Sequence, residues 1–506
     1  MVAIKNSKVV KNTQSRVFTI EGGANPGTSP VYQGYARAMG LAWPQGAITP
    51  VRIPSATLYD RFDIVATLQA QQGLPAMSIE SRYRQVLSDL LRLVKKGCQV
   101  DIQVHIGSCK APNDFLGGWT DGHIVVLQGA NATDYTTGDL GALDSNERAM
   151  VMETVPFTGL DLFEIGPMVS TLQAETLITD EIVDVTICDS IACGSCGLPS
   201  DGCQVVFAVV SDSSGSPGIP AAVIWSADGG ITWNKRGIFT LGLAETPTAI
   251  ACVGTDLVVL TNNGLAHHWI PISDMVNATG SWTKVTTGYV ATHGPNNLVS
   301  IDRTHTWIVG DLGYIYFSAD IRSGVSVLSA GDLTVQNLLA IDATDILTLA
   351  AVGASNALLT SNNGGTTWSL VTGPAVGIAL NTVAMSTDQF FQIGTAGGNL
   401  YYTRNAGLTW TLKAFPGSGS GVIRDIVMVN DTVGYMAHDT AGFVGRVLRT
   451  IDGGNNWYVT PDNPNILFPS VRRINRIAAC RDNINIAFYG GLGNDANDGK
   501  LLKAAA

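Results

Sequence analysis

The chain has 506 residues and a formal net charge of −11; 14% of its residues are charged and 45% are hydrophobic. A disordered chain needs more charge and less apolar content, so a folded protein of several compact units is expected. Residues 1–175 hold 14 Lys+Arg and 16 Asp+Glu while residues 176–506 hold 16 and 25, so neither part is basic and no nucleic-acid surface is expected.

The opening segment, MVAIKNSKVVKNTQSR, is polar and basic, and no apolar run of roughly 7–15 residues follows it, so no secretory signal is expected. No stretch approaches the ~18 consecutive apolar residues of a membrane-spanning helix, so no membrane insertion is expected. Residues 1–50 read as an irregular extended arm. Asp60–Gln71 and Met77–Arg82 alternate as strands on either side of a Gly73-Leu74-Pro75 turn. Arg82–Lys96 then reads as a helix with Val86, Leu87, Leu90, Leu91 and Val94 on one face, ended by Gly97.

Three further strands follow, Gln99–Ile106, His123–Gln128 and Arg148–Phe157, around a Gly/Asp/Thr-rich stretch, Gly129–Ser145, that reads as a flexible assembly loop. A small β-sheet domain with one packed helix, a long loop and extended arms resembles the tail tube proteins of tailed bacteriophages. That resemblance implies self-assembly of residues 1–175 into rings, hexameric in the family, stacked into a tube.

Beyond residue 175 the sequence becomes periodic. Ser226-Ala-Asp228-Gly-Gly230-Ile-Thr232-Trp233, Ser361-Asn-Asn363-Gly-Gly365-Thr-Thr367-Trp368, Thr403-Arg-Asn405-Ala-Gly407-Leu-Thr409-Trp410 and Thr450-Ile-Asp452-Gly-Gly454-Asn-Asn456-Trp457 are four copies of one string. From 361 to 403 is 42 residues, from 403 to 450 is 47, and from 226 to 361 is 135, or three times 45. Worn copies are expected in the gap, at Thr261-Asn-Asn263-Gly264 with Trp269 and at Tyr316-Phe-Ser318-Ala-Asp320.

Each full copy follows two apolar strands joined by a Gly-containing turn, the signature of four-stranded propeller blades. Within the string, Asp or Asn binds the backbone of its own turn, Gly supplies positive φ, and Trp plugs between neighbouring sheets. This string resembles the Asp box of the bacterial neuraminidase repeat propellers, and the resemblance implies structural residues on the rim.

The 331 residues of 176–506 at about 45 per blade give a seven-bladed propeller. Arg473–Ala506 supplies only three strands, and Thr171–Asp180 is expected to add the fourth, closing the ring. The fold class is therefore mainly β: a tube-like sheet domain over 1–175 and a propeller over 176–506.

Four cysteines, Cys188, Cys193, Cys196 and Cys203, fall within sixteen residues. Their spacing fits two local disulfides, a tetrathiolate zinc site or free thiols. His267-His268 occupies the place of a degraded turn instead of a metal site. Val51-Arg52-Ile53-Pro54 matches the opening motif of sialidases, but it lies far ahead of the first blade, and the propeller arginines form no carboxylate-gripping set. No catalytic set and no cofactor are expected. These readings converge on a virion structural subunit, a phage tail tube protein displaying a propeller outwards, with itself, other virion proteins and host-surface glycans as partners. A carbohydrate-binding or sialidase-like protein and a protein-binding assembly factor are the alternatives.

Overall fold

The computed structural model describes residues 15–20, 31–42, 49–54, 62–68, 76–82, 100–106, 123–132, 136–137, 152–159, 161–166 and 168–505, the last range without 175–176, 179, 189–202, 212–220, 239–244, 263–265, 291–292, 375–376, 443, 461–470, 482 and 494–497. The chain divides into two compact units, Met1–Pro167 and Met168–Ala506. Regular structure among the described residues is almost entirely strand.

In the first unit the strands are β1 (Ser15–Ile20), β2 (Val31–Ala42), β3 (Thr49–Pro54), β4 (Phe62–Leu68), β5 (Ala76–Arg82), β6 (Val100–Ile106), β7 (His123–Ala132), β8 (Thr136–Thr137), β9 (Met152–Thr158) and β10 (Asp161–Ile165). The main sheet has the order β10-β7-β6-β1-β2-β5-β9-β8, and β3 and β4 form a separate ribbon. The end of β7 turns back onto β9, pairing Asn131 with Thr158 and Ala132 with Phe157. The strands β7-β6-β1-β2-β5-β9 thereby join head to tail. On β6, Val100, Ile102 and Val104 are buried on one face and Asp101, Gln103 and His105 on the other; Asp101 accepts the Gly129 N–H at 2.8 Å.

Two expectations change here. The segment expected as an irregular arm supplies β1 and β2, both in the middle of the sheet. The two strands pair with each other, and long-range partners flank the pair, β6 beside β1 and β5 beside β2, so local apolar alternation did not reveal them. The loop expected from Gly129 begins later, because β7 runs to Ala132. The expected helix from Arg82 to Lys96 lies outside the described residues.

The second unit is a ring of seven four-stranded antiparallel sheets. Blades 1 to 6 run in chain order, with innermost strands Ile182–Ile187, Pro247–Val253, Pro295–Asp302, Leu338–Ala343, Leu380–Met385 and Val422–Met428. Blade 7 takes Arg473–Ala479, Ile486–Leu492 and Gly499–Ala505 from the C-terminus and β11 (Val169–Gln173) as its outer strand. The closing strand was expected at Thr171–Asp180. It ends at Gln173 because Ala174, at φ 52°, starts a turn in which Leu177 and Ile178 donate back to its carbonyl.

Second strands such as Val206–Ser211 and Asp256–Thr261 are buried nearly throughout, since both faces of each sheet are covered by neighbours. The hydrophobic clusters bridge adjacent blades. At the closing seam Ile182, Val206 and Ile224 of blade 1 pack with Ala478, Phe488 and Leu501 of blade 7.

Candidate functional site

The seven innermost strands line the axis of the ring, and each carries a break of register near its start, at Ile182/Asp184, Pro247/Ala249, Pro295/Asn297, Leu338/Ala340, Leu380/Thr382, Ile423/Asp425 and Ile474/Arg476. A bulge re-aims the side chain it releases. Here Thr248, Asn296, Asn381 and Asn475, each at a bulge, donate to the carbonyls of Pro295, Leu338, Ile423 and Ile182 in the next blade, at 3.0, 3.0, 3.0 and 2.7 Å.

Carboxylates serve the remaining three junctions. Asp184 accepts the Ile250 N–H at 2.8 Å, Asp342 that of Met385 at 2.8 Å, and Asp425 that of Ile477 at 2.9 Å. Each also accepts the N–H of its own successor, Val185, Ala343 or Ile426. Burial pushes Asp184 and Asp342 up to about 6 and raises Asp425, with Arg476 pulling Asp184 and Asp425 back down.

Blade 7 is latched by charge on both sides. Arg473 pairs with Glu181, and Arg476 stands 3.9 Å from Asp184 while donating to the Arg424 carbonyl at 3.2 Å. Arg424 in turn pairs with Asp439. The axial charges are thus tied into ring closure. Sequence reasoning missed Asp184, Asp342, Asp425 and Arg476; an Asp inside an apolar strand that opens a repeat unit is the signal that marks the three acids.

At one end of the axis, where the innermost strands of blades 4, 5, 6 and 7 finish, lies a cavity of about 220 Å³. Ala343, Thr344, Met385, Ser386, Met428, Val429, Asn430, Asp431 and Arg481 line it. Three of its turns are built alike: Thr344 N–H donates to Thr348 O, Ser386 to Phe390 and Val429 to Val433, at 3.2, 3.1 and 2.8 Å.

The four repeated strings form the turns between third and fourth strands of blades 1, 4, 5 and 6. In each, the first-position hydroxyl donates to the third-position carboxylate or amide oxygen: Ser226 to Asp228, Ser361 to Asn363, Thr403 to Asn405 and Thr450 to Asp452, at 2.8–3.0 Å. The same hydroxyl accepts the N–H of Gly230, Gly365, Gly407 or Gly454 at 2.8–2.9 Å. These glycines have φ between 81° and 91°. A Cβ at Gly454 would lie 2.2 Å from Gln392 of the preceding blade.

The tryptophans also reach the preceding blade. Trp368 packs with Trp307, Trp410 donates to Thr372 O at 3.0 Å, and Trp457 joins Leu400. Trp233 donates to Gln173 on β11 and meets Phe488 edge-on, so the first blade rests on the last.

The worn copies divide. Ser318 and Asp320 do sit in the corresponding turn of blade 3, where Asp320 accepts from Ser323 and Arg322. Thr261, however, ends the second strand of blade 2, and His267-His268 with Trp269 lie in its third strand. Both histidines are buried: His267 bonds Tyr289 and His268 bonds Glu245. The counterpart turn is the short helix Ile272–Val276 leading to Trp282, held by Arg236 on the carbonyls of Asp274, Thr279 and Gly280.

The cysteine expectation is overturned for two of the four. Cys188 is bonded to Cys252 of blade 2 and Cys203 to Cys480 of blade 7. The strand ends that carry Cys188 and Cys203 lie against neighbouring blades, so each sulfur meets a partner from another blade. Neither remains for a local pair or a zinc ligand. Cys193 and Cys196 lie outside the described residues.

No family model matches the chain, and no curated protein matches it by sequence. Among solved structures it is similar to YCF48 bound to D1 peptide, at 15% identity and TM-score 0.50 over 68% of this chain and 96% of that one. It is also similar to a catalytically inactive virginiamycin B lyase from Staphylococcus aureus with quinupristin, at 10% identity and TM-score 0.51 over 67% and 99%. The selenomethionine form of that lyase gives 10% and 0.50 over the same shares. No helix among the described residues is long and apolar enough to cross a membrane. Ring topology and these likenesses together show that the larger unit of the chain is a β-propeller.

Proposed function

We propose that the chain is a non-catalytic structural subunit that assembles through its first unit and presents its propeller as a protein-binding module. One observation carries this reading: the propeller closes on itself with a strand from residues 169–173, needing nothing from residues 1–167. The first unit, a separate sheet that joins end to end through β7 and β9, is left with a task of its own. Its strand order, with the resemblance to tail tube proteins, supports subunit packing in a virion tail. The repeat turns, read as Asp boxes, are structural, and the axial Asp and Arg groups are engaged in holding blades together instead of facing a substrate. A propeller is also a fold on which a peptide sits in the YCF48 structure, which supports protein as the partner class.

Negative-stain microscopy of the full chain, of residues 168–506 and of their response to a fluorogenic sialoside tests this. Rings or tubes are expected from the full chain, monomers from 168–506, and no hydrolysis from either. A monodisperse full-length monomer, or one that cleaves the sialoside, would overturn the reading.

A further inference from the structure

We propose that the cavity at the mouth of the propeller axis binds a small zwitterion with the chemistry of a free amino acid, Asp431 taking the ammonium group and Arg481 the carboxylate. Asp431 and Arg481 line the same 220 Å³ space. Among the described residues they form no ion pair with each other or with any other group. Both side chains are exposed and hydrated at the wall of this space, so a ligand bearing one charge would engage only one of them. A ligand bearing both charges neutralises the pair in one step.

Other groups extend the match. Ser386 also lines the cavity, and its hydroxyl is buried without a hydrogen-bond partner, so a turn about its Cα–Cβ bond would bring it to the ligand carboxylate. The Asp342 carboxylate lies at the same strand ends, with its two oxygens already taken by the N–H groups of Ala343 and Met385. It lies within electrostatic reach of Arg481 but is not among the residues that line the cavity. Met385 and Met428 offer soft apolar surface for a short side chain. The volume is below the ~300–1,000 Å³ of drug-sized pockets, which favours a small ligand.

Both charged residues stand on fixed supports. Arg481 directly follows Cys480, which is bonded to Cys203. Asp431 follows Asn430, whose side chain accepts the N–H groups of Thr432 and Val433 at 2.9 and 2.7 Å. Partial desolvation at the cavity wall raises the Asp431 carboxyl above its ordinary range, a bias that a bound ammonium would oppose.

Calorimetric titration of the full chain with L-alanine, propionate and propylamine tests the proposal, alongside Arg481→Gln and Asp431→Asn. Saturable binding of alanine is expected, with each variant and each singly charged analogue weaker by roughly 10-fold or more, the worth of one charge-assisted hydrogen bond. Both side chains are at the surface, and matching melting curves confirm that the variants fold. Three results would each overturn it: no alanine binding up to about 10 mM, unchanged affinity in both variants, or propionate binding as tightly as alanine. The proposal stands or falls independently of assembly by the first unit, because its readout is ligand heat and not oligomeric state.

Discussion

At the scale of single residues, the repeat turns show how one motif gives opposite electrostatic outcomes. Asp228 and Asp452 both accept from the first-position hydroxyl and from the backbone N–H and side chain of the seventh-position residue. At Asp228 desolvation is the largest single effect, but bonds from Thr232, Ser226 and Ile231 together outweigh it, so its carboxyl is held below the ordinary range. Asp452 is buried, and burial pushes it up to about 6 from 3.8 despite bonds from Asn456 and Thr450. The folded state therefore holds the Asp452 proton more tightly than the unfolded chain does. Its contribution is fully present below pH ~4 and is lost as pH rises through about 6. Asn occupies the same position at 363 and 405, so Asp452→Asn keeps the turn and removes the charge. The variant is expected to gain about 1–3 kcal/mol over the native chain at pH 7.5 and little at pH 4. Urea unfolding at both values checks this, and an equal difference at the two would contradict it.

At the scale of elements, the third-to-fourth-strand turns were readable because their chemistry is local: a hydroxyl, an acid or amide, a glycine and a tryptophan at fixed spacing. The bulges of the innermost strands were not, although they matter as much. A bulge shows only as a register change against a partner strand, and Asn296, Asn381 and Asn475 look in sequence like ordinary polar residues in strands. Blade 2 misled for a related reason, since a helix replaces its turn and the nearby Asn262-Asn263-Gly264 imitates the motif one strand too early. The strands β1 and β2 pair with each other, and they stayed hidden because their other partners, β6 and β5, are far away in sequence. The composite blade was legible in outline, from a strand count one short. Its outer strand β11 makes five residue pairs with Gly499–Ala505. A chain of residues 174–506 is expected to lose about 3–5 kcal/mol relative to 168–506, at roughly 1 kcal/mol per hydrogen bond, and to aggregate through the bared edge. Thermal melting with light scattering distinguishes the two; identical curves would remove β11 from the account of closure.

At the scale of the whole molecule, blade 1 is bonded covalently to both of its neighbours, to blade 2 across 64 residues of chain and to blade 7 across 277. Long loops closed by disulfides restrict the unfolded chain most. Replacing Cys203 and Cys480 together by Ser is expected to cost about 2–5 kcal/mol, more than the same change at Cys188 and Cys252. Non-reducing alkylation should leave these four sulfurs unlabelled, and labelling of Cys203 and Cys480 in the native chain would contradict the pairing. The sequence disclosed the cysteines but not their partners, because Cys252 and Cys480 are distant in the chain and become neighbours only once the ring closes.

The strand β11 is both the latch of the ring and the segment next to the first unit. Mechanical force on residues 1–167 would enter the propeller at Val169, the first residue of that latch. If the first unit is fixed in an assembly and the propeller is dragged, the load falls on the β11 pairing with Gly499–Ala505 before it reaches any other blade. Behind it, the bond between Cys203 and Cys480 would act as a safety strap, keeping blades 7 and 1 joined after the strand peels away. Strength under pull is therefore set by the seam.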